Sequence, residues 1–354
     1  MNKKPFIFRI SLNDKINFAR NLALLLKSGI SLPQALEILK ESSRSSSLKY
    51  ILENVIKDIE RGQFLGNSLD KFSNKLDIFF ISIIKVGEYT GRLTENLERI
   101  AIEFKKMEKL RNKIISALIY PSFIIVTMIF IMIAVIYFLF PKLFPIFENL
   151  NVKLPLTTII FLKVSSFLLN YGIYLFLSIA LLFTSFPFLL RIKKIKYFFH
   201  LIILYIPFLS VVVKKYILNR FFRNLALLLE SGIPIAESLK ITSENVGNLV
   251  YEKIIYDASD FVVKGHSLGE FLNNNKKYFP YNFIQMIAIG EKSGNLINTL
   301  FYLTENLDEE IDIDLERFMS SIEPIILITV AFMVGFIAYS IITPIYEISN
   351  KLQK

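Results

Sequence analysis

The stretch FARNLALLLKSGI, beginning at Phe18, returns as FFRNLALLLESGI beginning at Phe221, an offset of 203 positions. A repeat at one fixed offset constrains a chain more than its composition does, because both copies must reach the same fold and then be joined. The register continues without a gap. Gly62 and Gly66 meet Gly265 and Gly269, VGEYTGRL (from Val86) meets IGEKSGNL (from Ile289), and Pro121 and Pro141 meet Pro324 and Pro344. One unit, a helical domain followed by an apolar span, is used twice, and the chain between the copies must return to where the second begins.

Each copy reads as a helical bundle. In the first, Phe18, Leu22, Leu25 and Leu26 recur at helical spacing, and Ser28-Gly29 closes the run where glycine can adopt the left-handed conformation that ends a helix. Ser31-Leu32-Pro33-Gln34 then opens the next helix, with serine placed to cap, proline in an early turn and glutamine placed for a capping box. Gly232, Pro234 and Glu237 serve the same corner in the second copy. Arg61-Gly62 and Lys264-Gly265 end a further helix. The third corner is Gly87-Glu88-x-Thr90-Gly91 and its twin Gly290-Glu291-x-Ser293-Gly294. Its glutamate has two readings: the carboxylate ties down backbone amides at a helix start or pairs with a basic neighbour, or the corner is a partner-contact loop. Arg20 and Arg223, each followed by asparagine inside an apolar helix, are likewise either members of buried ion pairs or basic contacts for a partner.

Apolar residues make up 53% of the chain and mean hydropathy is +0.48, too greasy for an ordinary soluble domain. Residues 114–140, 158–190 and 322–342 each hold the ~20 mainly apolar residues that cross a bilayer core. A fourth run, 197–213, is shorter and broken by His200 and Pro207, and reads as an interfacial or buried helix. Lys105, Lys106, Lys109, Arg111 and Lys113 precede the first span, and Arg191, Lys193, Lys194 and Lys196 follow the second, which predicts that both helical domains are cytoplasmic. The third span has an acidic inner flank, so its direction rests on the repeat. The N-terminus is basic, with no run or cleavage site of a signal peptide. The chain then divides into an N-terminal segment (1–17), cytoplasmic domain 1 (18–113), transmembrane helix 1 (114–140), an extracytoplasmic loop (141–157), transmembrane helix 2 (158–190), a basic interfacial linker (191–220), cytoplasmic domain 2 (221–319), transmembrane helix 3 (320–343) and a short extracytoplasmic tail (344–354). Pro121 and Pro324 fall within spans, where proline removes a backbone hydrogen bond and kinks the helix.

Several chemistries are excluded. The net charge of +10 concentrates beside the spans, where anionic membrane lipid attracts it, which argues against nucleic acid as partner. The absence of cysteine removes disulfides, thiolate metal sites and cysteine catalysis, and two isolated histidines do not make a zinc site. Gly265-His266-Ser267-Leu268-Gly269 has the G-x-S-x-G form of a hydrolase elbow, but a helix precedes it and no histidine follows it. Ser267 and Glu270 read instead as a capping box. No phosphate-binding loop occurs. Apart from Lys163 and Glu323 the spans carry no ionisable group, which weighs against the alternative of a permease-like transporter component. No catalytic, cofactor or metal residue is assigned.

Taken together, the duplicated RNLALLLKSGI and RNLALLLESGI, the duplicated G-E-x-[TS]-G, KIISALIYP leading into the first span and Pro141 at its exit resemble the type II secretion system F family. These are the inner-membrane platform proteins of type II secretion and type IV pilus assembly. The resemblance covers nearly the whole chain. It implies an all-α integral membrane scaffold without enzymatic activity, having two homologous six-helix cytoplasmic domains and three transmembrane helices in a bacterial inner membrane. It also implies partners: a hexameric assembly or secretion ATPase, pilin or pseudopilin subunits, other inner-membrane assembly proteins, and further copies of itself as a dimer or higher. Two departures stand out, a short segment before Phe18 and Glu323 where the first copy has Tyr120.

Overall fold

The computed structural model describes residues 10–139, 141–142, 145, 156–190, 192–206 and 209–352, and every regular element among them is helical. The first copy comprises α1 (Leu12–Lys27), α2 (Leu32–Ser42), α3 (Ser46–Glu60), α4 (Leu65–Asp70), α5 (Ile78–Tyr89) and α6 (Leu93–Ala134), the last running into a π-helical turn at Val135–Leu139. Helices α7 (Leu156–Leu189) and α8 (Lys193–Ile203) follow. The second copy comprises α9 (Leu209–Glu230), α10 (Ile235–Asn245), α11 (Leu249–Val263), α12 (Leu268–Asn274), α13 (Tyr281–Lys292) and α14 (Leu296–Leu352). Helices α2, α3 and α5 reappear as α10, α11 and α13 with both ends displaced by the same offset, so the repeat in sequence is a repeat of elements.

The caps explain most of the boundaries. Ser11 and Asp14 form a full capping box at α1, with Asp14 N–H on Ser11 Oγ at 3.1 Å and Ser11 N–H on Asp14 at 2.9 Å. The box expected at Ser31 is absent. Ser31 is the N-cap residue of α2, yet its side chain accepts no amide, because one of the two N–H groups a capping hydroxyl reaches belongs to Pro33, which has none. At the far end of α1, Gly29 stands at φ 81° and lets Ile30 N–H reach back to the Leu25 carbonyl at 3.1 Å. Gly232 does the same for Ile233 and Leu228 at 3.0 Å.

The described chain forms two compact units. The chain up to Lys113 joins Tyr197–Ile313 in one, and Ile114–Lys196 joins the chain from Asp314 onward in the other. In the first unit the core has one cluster per copy. Phe18, Leu22, Leu52, Phe80 and Ile84 anchor one, and Phe221, Leu225, Tyr251, Ile284 and Ile287 the other. They are not independent: Leu227, Leu228 and Ile233 of the second copy pack into the first cluster, and Phe301 touches both. The run at 197–213 is, over its described residues, α8, a turn and the start of α9. Leu201, Leu204 and Val213 pack into the second cluster, and His200 Nδ1 accepts the Leu249 N–H at 2.9 Å.

In the second unit the helices expose their apolar side chains. Phe123, Phe176 and Phe332 are at least 70% exposed. Water on a large apolar side chain forfeits about 1.5–3 kcal/mol relative to burial, so such a surface requires an apolar solvent. Three helical stretches among the described residues are long and apolar enough to cross a membrane: Leu93–Phe138, Leu156–Leu182 and Leu296–Ser340. The helices that carry the first and third begin far upstream, at Leu93 and Leu296, so the spans expected at 114 and 320 continue helices of the bundles. No helix breaker separates Leu93 from Pro121, and pairs such as Lys105 with Glu108 at 2.6 Å carry the helix through its charged section. Most of the loop expected at 141–157 lies outside the described residues, as do residues 1–9, Arg191 and Pro207.

Candidate functional site

The two glutamate corners are the same machine built twice. Glu88, on the last turn of α5, accepts the Leu65 N–H at 2.6 Å through one carboxylate oxygen and the Gly66 N–H at 2.8 Å through the other. Glu291, on α13, accepts from Leu268 at 2.8 Å and Gly269 at 2.9 Å. These amides open the short helices α4 and α12, whose first-turn N–H groups have no partner within the helix. A carboxylate there satisfies two of them with charge-assisted bonds and sits favourably at the positive end of the helix. In α4 the N-cap residue is Phe64, which offers no side-chain acceptor, so Glu88 does the capping from a distance in sequence.

The glycines around each glutamate are set by close approach. A β-carbon at Gly66 would stand 2.8 Å from the Cα of Lys85, and one at Gly269 would stand 2.7 Å from the β-carbon of Ala288. On the other side of α5 a β-carbon at Gly87 would meet Asn96 at 2.9 Å, and at Gly290 it would meet Thr299. Gly91 and Gly294 close α5 and α13 at φ near 70°, returning the chain to the long helices. The corner therefore clamps three helices together. Of the two readings open for Glu88 and Glu291, tying down backbone amides describes what their carboxylates touch.

Arg20 and Arg223, identical in sequence, are placed differently. Arg223 is 1% exposed, and its guanidinium joins Glu103 of α6 and, at 2.6 Å, Asp308 of α14, with Asn219 one turn away on its own helix. It is the buried ionic centre where the copies meet. Arg99 pairs with Glu230 and Lys113 with Asp312 along the same seam. Burial pushes the Glu230 carboxyl up, against the pull of the Arg99 guanidinium and helped by nearby Glu103. Arg20 is exposed and lines an open groove of about 680 Å³ with Ile16, Leu24, Ala101, Ile102 and Lys109. Glu103 and Asp308 were not singled out from sequence. The signal that marks them is where the repeat changes charge: Lys105 stands opposite Asp308, and Asn306 opposite Glu103.

The hydrolase elbow is a helix start. Ser267 Oγ accepts the Glu270 N–H at 3.1 Å, while His266 stacks on Phe261 at 4.3 Å between ring centroids. Among the described residues no group of three or more acidic, histidine or cysteine side chains could hold a metal ion. Pro121 lies inside α6 and Pro324 inside α14, both within the apolar stretches.

With this geometry in place, the chain can be set beside known proteins. A family model described as type II secretion system (T2SS), protein F, matches residues 18–141 and again 221–344, limits that differ by the same offset as the repeat. A "Type IV pilus assembly protein PilC" of Thermus thermophilus is 31% identical over 348 residues, covering 96% of this chain and 84% of its own. A "Type II secretion system protein F" of Aeromonas hydrophila is 29% identical over 331 residues, covering 94% and 85%. A "Type IV pilus assembly protein PilC" of Pseudomonas aeruginosa is 26% identical over 334 residues, covering 94% and 89%.

Proposed function

Given that this chain belongs to the type II secretion system protein F family, we propose that it is a multi-pass inner-membrane platform, one that couples a cytoplasmic hexameric ATPase to the extraction and assembly of pilin or pseudopilin subunits. The observation that carries this reading is the division of labour within the chain. Two helical bundles joined into one unit hold most of the charged surface, and the apolar residues 114–140, 158–190 and 322–342 hold almost nothing ionisable. A scaffold of that kind transmits position through contacts and needs no reaction centre, and the corners that recur in both copies are spent on holding helices together. The basic residues beside the first two spans favour placing the bundles on the cytoplasmic side, where an ATPase would reach them. Pro121 and Pro324 would supply bends in the spans where pilin helices pass. The test is crosslinking in native membranes followed by affinity purification of the tagged chain and mass spectrometry. Recovery of a hexameric ATPase with pilin-like proteins is the expected result. Recovery of neither, in cells that produce both, would overturn the proposal.

A further inference from the structure

The copies meet one-sidedly. The second presents Arg223, Leu227 and Asp312, with Asp308 paired behind Arg223, from α9 and α14, and the first receives them on the flank of α6, at Arg99, Glu103 and Lys113. Stepping back by the repeat offset, the presenting residues become Arg20, Leu24, Lys105 and Lys109. These line the open groove, where Leu24 is 62% exposed and Ile102 58%. Stepping forward by the same offset, the receiving flank of α6 becomes a stripe on α14: Arg99 becomes Tyr302, Lys106 becomes Glu309 and Leu110 becomes Ile313. Leu110 is 6% exposed, whereas Ile313 is 46% and Tyr302 53% exposed. Each molecule thus has one presenting face and one receiving face already joined, and one of each left over.

The leftover faces are complementary. The groove has an apolar floor under Arg20 and Lys109, Lys105 and Lys106 beside them are paired with Glu108 at 2.6 Å and Glu103 at 3.0 Å, and the acid within it, Glu98, is held by Lys27 at 2.7 Å. The stripe sets Tyr302 and Ile313 among the exposed carboxylates of Glu305 and Glu309. Opposite charge around an apolar centre is the pattern that fixes register between protein surfaces. The chain's own residues 1–9 carry Lys3, Lys4 and Arg9 and no acid, so charge disfavours them as the occupant. We propose that the groove of the first copy receives the Tyr302–Ile313 stripe of a second molecule of this chain, repeating between molecules the contact that joins the two halves within one. The inference does not depend on which machine the chain serves.

The absence of native cysteine makes the test direct. Two differently tagged full-length chains are produced together, one carrying Leu24→Cys and the other Tyr302→Cys, and their membranes are oxidised. Both positions are exposed, so neither change disturbs the core. The expected product is a disulfide joining the two tags, with neither variant forming it alone. A groove reversed by R20E and K109E should lose about tenfold or more of that product, as should a stripe reversed by E305K and E309K, and combining the reversed groove on one chain with the reversed stripe on the other should restore it. The proposal is overturned by no product between the tags, by Leu24→Cys pairing with itself, by Leu24→Cys linking only to a different protein, or by a product indifferent to both reversals, as a groove filled by lipid headgroups would give.

Discussion

At the residue scale the corners give the sharpest expectations. Removing an acceptor that serves two otherwise unpaired amides costs about 1–3 kcal/mol. Glu88→Ala and Glu291→Ala should therefore each lower the thermal midpoint of the purified protein, and Glu88→Gln, which keeps one acceptor oxygen, should lose less. An unchanged midpoint in the double alanine variant would return both glutamates to the list of partner contacts. Gly66→Ala should cost about 1–3 kcal/mol by overpacking against Lys85, read by the same melt, whereas Gly335, with nothing within 4 Å, should accept alanine without loss. Asp58 supplies a pH dependence. Its hydrogen bond to the Lys71 ammonium, at 2.6 Å, holds the carboxyl below its ordinary value despite burial. A carboxyl depressed in the folded state contributes stability above its unfolded value, near 3.8, and loses it as pH falls through the folded value. The native protein should thus exceed Asp58→Asn in stability at pH 7, and the gap should close on acidification. All of this depends on tertiary contacts that glycine and glutamate spacing does not show. The recurrence of G-E-x-[TS]-G was visible, but its target amides lie about twenty residues upstream, a distance that periodicity cannot bridge.

At the scale of elements, the sequence was most readable where local chemistry decides. The helix ends at Gly29 and Gly232 and the start at Ser267 follow from backbone conformation and a nearby hydroxyl. Ser267→Ala should cost about 1 kcal/mol, and Ser31→Ala almost nothing because Ser31 caps no amide, a contrast that two unfolding curves would settle. Local chemistry does not mark the step from domain to span: composition changes there, yet α6 and α14 pass through that change uninterrupted. A helix stops at a breaker or a cap, and a change from charged to apolar side chains is neither. The run at 197–213, read as an interfacial or a buried helix, has its described residues folded into α8 and α9, with Leu204 buried in the second cluster.

For the whole molecule, the difference between Arg20 and Arg223 matters more than their identity. Arg223→Ala removes the cation that Glu103 and Asp308 share, leaving Glu103 only Lys106 at 3.0 Å and Asp308 only the Asn219 amide, and breaking a buried pair costs about 3–5 kcal/mol. Arg20→Ala, at an exposed position, should stay within about 0.5 kcal/mol. Limited proteolysis of the two variants should separate them, with only Arg223→Ala loosening the joint between copies. That asymmetry is written in the positions where the copies disagree, so their likeness alone does not carry it. It also gives the molecule a polarity. A presenting face that meets a different receiving face has a front and a back, so copies joined by it cannot pair off as a self-complementary dimer does, and each addition leaves one face open. Because a bilayer holds every copy the same way up, successive copies can turn only about the membrane normal, and the contact ends in a ring or continues as a row. The number of copies in such an assembly is set by the angle between the two faces, which makes stoichiometry a property of the seam between α6 and α9.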